Sequence, residues 1–181
     1  MREALEEARR AYERGECPVG AVIVRNGAIV ARAGNQELES NDPTAHAEIL
    51  VLREAGQLLG QHTFPDCTVY TTLWPCPMCE NALLRAKVPK VVCGARSFKH
   101  IYEDTFNPSR LSKIGPIMED ECRGIFIKWA KETERDFLLD DEDLELDTAL
   151  RPGNMNKAQL GLLAVCYNGR MGNQPQREDH N

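Results

Sequence analysis

The sequence predicts an α/β protein built as a three-layer α/β/α sandwich, with a central mixed five-stranded sheet flanked by helices. Two observations carry this: helical and β-branched segments alternate along the chain, and an Asn26-Gly27 pair sits between two apolar runs. Arg2 to Glu13 places Leu5, Ala8 and Tyr12 on one stripe, the pattern of an amphipathic helix. Gly20 to Val24 and Ala28 to Val30 read as the arms of a hairpin, because Asn-Gly tolerates the positive φ of a tight turn. Residues 36–43 are polar and turn-like, and Thr44 is expected to cap a helix running to about Glu54. Cys67 to Thr72 is a short β-branched run, hence a third strand. Pro75 and Pro77 end it and open a helix to about Lys87. Val91 to Ala95 gives a fourth strand, and a short fifth is expected near Ile117. Glu121 to Leu138 reads as a closing helix with Cys122, Ile125, Phe126 and Trp129 on one side.

The chain has 181 residues, enough for one sizeable core and an extension. Asp140 to Asp147 holds six acids and no base, and a turn-like Arg151-Pro152-Gly153-Asn154 and a polar end follow. Residues 141–181 therefore read as an appendage to a domain at 1–140, with a flexible tail as its simplest account. The net charge is −6, yet outside the acidic run 22 acids balance 22 bases. Proteins that hold phosphate backbones by counterion release usually carry a basic excess, so this balance points away from a nucleic-acid partner. No run approaches 18 apolar residues, and the start at Met1 to Glu7 has no signal-peptide apolar region. The expectation is a cytoplasmic protein without a membrane partner. Seven cysteines and no secretion signal suit reduced thiols used for metal binding or catalysis.

The chemistry concentrates in Thr44-Ala45-His46-Ala47-Glu48 and, 28 residues beyond Glu48, in Pro75-Cys76-Pro77-Met78-Cys79. Each motif opens a helix just after a turn. Cysteines three apart in a first turn share one face, and the helix dipole favours their thiolates. Side chains lean toward a helix N-terminus, so His46 can approach a metal in front of its helix. One imidazole and two thiolates, His46, Cys76 and Cys79, suit tetrahedral Zn²⁺ with a water in the fourth place. Cys67 as a fourth ligand would instead make the site structural. Glu48, close but not coordinating, is the natural proton carrier for a metal-activated water. Cys17, Cys67, Cys93 and Cys122 otherwise read as small core residues, and His62, His100 and His180 as solvent-facing.

These two motifs resemble the signature of the zinc-dependent nucleobase and nucleoside deaminases of the cytidine deaminase-like superfamily, a match spanning roughly residues 5–140. Three branches compete. Asn41 to Glu48 is similar to the tRNA adenosine and guanine branches, and Pro75 to Cys79 to the guanine branch. Asp66 to Leu73, Ser97-Phe98-Lys99 and the Asp136 to Asp140 segment resemble the fungal-type cytosine deaminases. Trp74 departs from the family pattern, which has a smaller polar or acidic residue there.

The resemblance implies hydrolytic deamination of a free nucleobase, cytosine to uracil and ammonia, in pyrimidine salvage. A guanine or aminopurine deaminase is the alternative, then a tRNA adenosine deaminase, and a structural-zinc interaction protein is the non-enzyme rival. It implies that Asn35 holds the base, that Phe98 and Phe137 stack on it or close over it, and that Asp140 accepts from its ring N–H or amino edge. Backbone N–H groups near Ala47 and Cys76 would contact its carbonyl oxygen. Bland accounts stand beside these: a turn Asn, core-closing aromatics, and the first residue of a solvated run. A homodimer is also expected, because Ile125, Phe126 and Trp129 would expose apolar surface unless paired.

Overall fold

The computed structural model describes residues 1–96, 111–135 and 139. Helix α1 (Arg2–Glu13) leads into strands β1 (Gly20–Arg25) and β2 (Ala28–Gly34), followed by a short α2 (Glu37–Ser40) and α3 (Ala47–Leu59). Strand β3 (Cys67–Leu73), α4 (Pro77–Arg85), β4 (Lys90–Ala95), β5 (Ser112–Ile114) and α5 (Glu119–Glu132) complete the described fold. The sheet order is β2-β1-β3-β4-β5. β1 is antiparallel to β2 and β3, whereas β3, β4 and β5 run parallel. This is the mixed five-stranded α/β architecture that the sequence predicts.

The hairpin forms as expected, with Asn26 at φ 51° and Gly27 at φ 79°, both in the left-handed region that a tight turn demands. Small residues let α1 lie close on the sheet: Ala4, Leu5, Ala8 and Ala11 are buried. Gly20 faces them so tightly that a Cβ there would come within 2.0 Å of the Ala4 carbonyl oxygen. Helices α3 and α4 pack together, and α3 also covers β1, β2 and β3. The resulting core includes Ile23, Val51, Phe64, Val69, Leu83 and Val91.

Several boundaries move. Residues 37–40 form a helical turn where a polar loop was expected, because the buried Glu16 carboxylate accepts the Leu38 and Glu39 N–H groups at 3.2 and 2.8 Å. His46, not Thr44, is the N-cap of α3; the Thr44 N–H and hydroxyl both donate to Asp42 Oδ1, at 2.8 and 2.6 Å. The fifth strand lies at 112–114 rather than near Ile117, ahead of the Gly115-Pro116 pair, which supplies no second N–H for a ladder. α5 ends at Glu132, and Glu134 follows at φ 58°.

The apolar side of α5 is covered by the chain itself. Phe126 and Trp129 are buried, and α5 packs on β4, β3 and α1. Of the three residues invoked for a homodimer, Phe126 and Trp129 are thus spent on the chain's own packing, and Ile125 stays partly exposed. Among the described residues no helix is long and apolar enough to cross a membrane. The segment 141–181, and with it the expected boundary at 140, lies outside the described residues.

Candidate active site

The site forms where the C-terminal end of β3 meets the N-termini of α3 and α4. His46 is extended at φ −72°, ψ 150°, so it stands before α3 as its N-cap while Glu48 lies in the first turn. That resolves how two residues only two apart can face one centre: just one of them is helical. Cys76 caps α4 in the same way, at φ −66°, ψ 166°, and Cys79 sits in its first turn after Pro77. Hence Cys76 lies one position outside the helical turn that the spacing suggested.

His46 Nδ1 lies 3.6 Å from Cys76 Sγ and 3.4 Å from Cys79 Sγ. The three ligand atoms all fall within 4.8 Å of one another. Two soft thiolates and an imidazole nitrogen converging in a buried corner fit zinc, and both positive helix ends point at them. Cys67 does not join them. It begins β3, whose other end leads to Cys76, and its thiol faces Asp66 Oδ1 at 3.6 Å. Cys93 and Cys122 are buried core residues, Cys17 is partly buried, and His62 is exposed.

The side chains' own electrostatics favour a thiolate–imidazolium pair. The Cys79 thiol and His46 hold Cys76 down to about 4, although burial opposes this. Cys76 and then Glu37 raise His46 to about 10 against the effect of burial. Cys79 is pushed up by the neighbouring Cys76 and by burial. Glu48 is 3 % exposed, and desolvation raises its pKa even though Thr71 and His46 stabilise its charge. Thr71 Oγ1 donates to Glu48 Oε1 at 2.9 Å.

Asn35 directly follows β2 and is buried. Its Oδ1 accepts the Ala47 N–H at 2.9 Å, and its Nδ2 donates to Glu37 Oε2 at 3.2 Å. In this structure the Ala47 N–H is thus taken up by Asn35 rather than presented to a ligand. Trp74, directly after β3 and partly buried against the core, has Lys113 5.4 Å and Arg96 5.8 Å from its ring centre. Lys113 also pairs with Glu80 at 3.1 Å. Phe98, Phe137 and Asp140 lie outside the described residues.

Sequence reasoning missed Thr71, Glu16 and Glu37. Thr71 had a readable signal: residues 67, 69, 71 and 73 share one strand face, and Thr71 is the polar member of that buried row. Glu16 lies between α1 and β1 and Glu37 opens the four-residue α2, where no periodicity marks a position.

A family model for the cytidine and deoxycytidylate deaminase zinc-binding region matches residues 1–95, slightly more than half of the chain. The chain belongs to that family. The deaminase is also similar to the tRNA-specific adenosine deaminase of Bacillus subtilis, at 39 % identity over 144 residues, covering 75 % of this chain and 89 % of that one. It shares 46 % identity over 100 residues with the tRNA-specific adenosine deaminase of Aquifex aeolicus, covering 55 % of this chain and 66 % of the relative. A solved structure from a study of A-to-I editing by tRNA:A34 deaminases superposes with a TM-score of 0.64 at 40 % identity, over 69 % of this chain and 96 % of that one.

These relatives overturn the choice of a free pyrimidine, and with it pyrimidine salvage and the exclusion of nucleic acid. The misreading has two physical sources. Asp66 to Leu73, read as cytosine-like, is a sheet strand whose Asp66 pairs with Arg25 at 2.6 Å and whose buried side chains fill the core. Net charge, in turn, is a sum over all faces and does not report where cations stand. The hydrolytic deaminase chemistry and the zinc cofactor stand.

Proposed function

We propose that this deaminase converts adenosine to inosine in tRNA, at the first anticodon position. The observation that carries the reading is the likeness to the Bacillus subtilis tRNA-specific enzyme, which spans most of both chains. Zinc held by His46 Nδ1, Cys76 Sγ and Cys79 Sγ would supply a water acidic enough to act as nucleophile near neutral pH.

The protein's own groups do the rest. Glu48, buried beside the ligands and outside the ligating group, accepts a proton from the attacking water. Thr71 donates to Oε1 and so fixes the orientation of the carboxylate. The proton passes first to ring N1 as oxygen bonds to C6, and the proton left on the new C6 hydroxyl is then carried to the amino nitrogen as the C6–N bond breaks and the C6 carbonyl forms. Inosine and ammonia leave, and the water is consumed. Desolvation suits Glu48 to this work, because a raised pKa makes it a better proton acceptor near neutral pH. Asn35, which holds the Ala47 N–H at the start of α3, is the group proposed to hold the base.

The test uses the zinc-loaded protein and tRNA transcripts carrying adenosine or guanosine at the first anticodon position. Digestion and mass spectrometry should find inosine only in the first. Free adenosine, guanine and cytosine run beside them in an ammonia-release assay. Ammonia from a free base with tRNA untouched would overturn the proposal.

A further inference from the structure

We propose that Glu37 is a positioning residue of the metal centre, tying the imidazole of His46 to the amide of Asn35. The inference rests on His46 being a zinc ligand. Nδ1 of His46 faces both sulfur atoms, so Nδ1 is the ligating nitrogen. The hydrogen must then reside on Nε2, which lies 3.5 Å from Glu37 Oε1. The second carboxylate oxygen, Oε2, accepts from Asn35 Nδ2 at 3.2 Å. Asn35 Oδ1 in turn accepts from the N–H of Ala47, the residue joined to His46. The contacts close a ring: His46, Glu37, Asn35, Ala47 and back to His46.

Such a ring does two things. It selects one tautomer and one rotation of the imidazole, as carboxylate partners of metal-bound histidines commonly do. It also fixes which end of the Asn35 amide faces which neighbour, because a carboxylate only accepts and an N–H only donates. Glu37 is itself well placed for this. Its helix is held by the buried Glu16, and its carbonyl accepts the Asp42 N–H at 3.2 Å. Arg14 reaches the same segment, with Nη2 donating to the Asn35 carbonyl at 3.2 Å and Nε facing Glu39 at 3.3 Å.

The experiment follows zinc transfer from loaded protein to a chromophoric chelator, which needs no substrate. A failure here is therefore distinct from a failure of the tRNA reading. Glu37→Ala should release zinc about tenfold faster or more. Glu37→Gln keeps an acceptor for the imidazole N–H but offers Asn35 one acceptor fewer, and should fall between wild type and Ala. Glu39→Ala, on the same short helix but paired with Arg14, should match wild type. Thermal unfolding of the metal-free proteins should not separate Glu37→Ala from Glu39→Ala. Wild-type release from Glu37→Ala, equal release from the Ala and Gln variants, or equally fast release from Glu39→Ala would each overturn the proposal.

Discussion

A carboxylate with almost no water around it is an expense that catalysis can justify and folding cannot. Glu48 is such a group, and its raised pKa has a sign that can be measured. The unfolded chain loses this proton near the ordinary carboxylate value and the folded chain only at higher pH. Below that ordinary value the group costs nothing; as pH rises above it, the unfolded state gains. In metal-free protein, Glu48→Gln should therefore melt higher than wild type at neutral pH, with the gap closing toward about pH 4. The same variant should retain zinc and lose on the order of 10² or more in kcat, because its amide cannot carry the proton. Near-normal turnover would remove Glu48 from the mechanism. At the neighbouring position, Cys79→Ala should abolish the retention of about one zinc per chain seen by metal analysis. Zinc affinity should also fall as pH is lowered, since protons re-occupy the thiols and His46.

At the scale of elements, close packing leaves some glycine positions with no room for a side chain, Gly94 and Gly20 among them. A Cβ at Gly94 would stand 2.5 Å from Cys122 Sγ and 2.4 Å from the Thr72 carbonyl oxygen, so α5 rests directly on β4. Gly20→Ala meets helix backbone, which cannot swing aside as a side chain can. It should cost about 1–3 kcal/mol in chemical denaturation. Glu16→Ala should cost a similar ~1–3 kcal/mol by leaving the Leu38 and Glu39 N–H groups without their acceptor. An unchanged denaturation midpoint would refute either claim. Elements with a strong period or a named turn, such as α1, the hairpin and β3, were legible in the sequence. So was the metal triad, because ligand type and spacing are local properties. α2 was not legible, since what holds it is one distant carboxylate, Glu16, acting on its backbone. Substrate choice was misread because the residues compared along β3 serve the core, while Thr71 and Glu37 act through contacts that no local spacing encodes.

For the whole molecule, the decisive variable is ionic strength. Contacts to three or four phosphates would weaken tRNA binding by roughly tens of fold between 50 and 200 mM salt. KM for tRNA should follow that slope, whereas turnover of a free base would be nearly indifferent. A flat salt profile would count against the polynucleotide substrate. The N-caps of α3 and α4 have a further consequence: neither His46 nor Cys76 makes a side-chain cap hydrogen bond. A bound ion would therefore act as a cross-link, closing the chain between residue 46 and residue 79 and tying the starts of α3 and α4 to one centre. Ligation of this kind draws the folded population upward with free metal, by about 2.7 kcal/mol when the ion stands at a hundred times its dissociation constant. Cells short of zinc would lose intact deaminase as well as active deaminase, and the melting temperature should climb with added zinc until the site saturates.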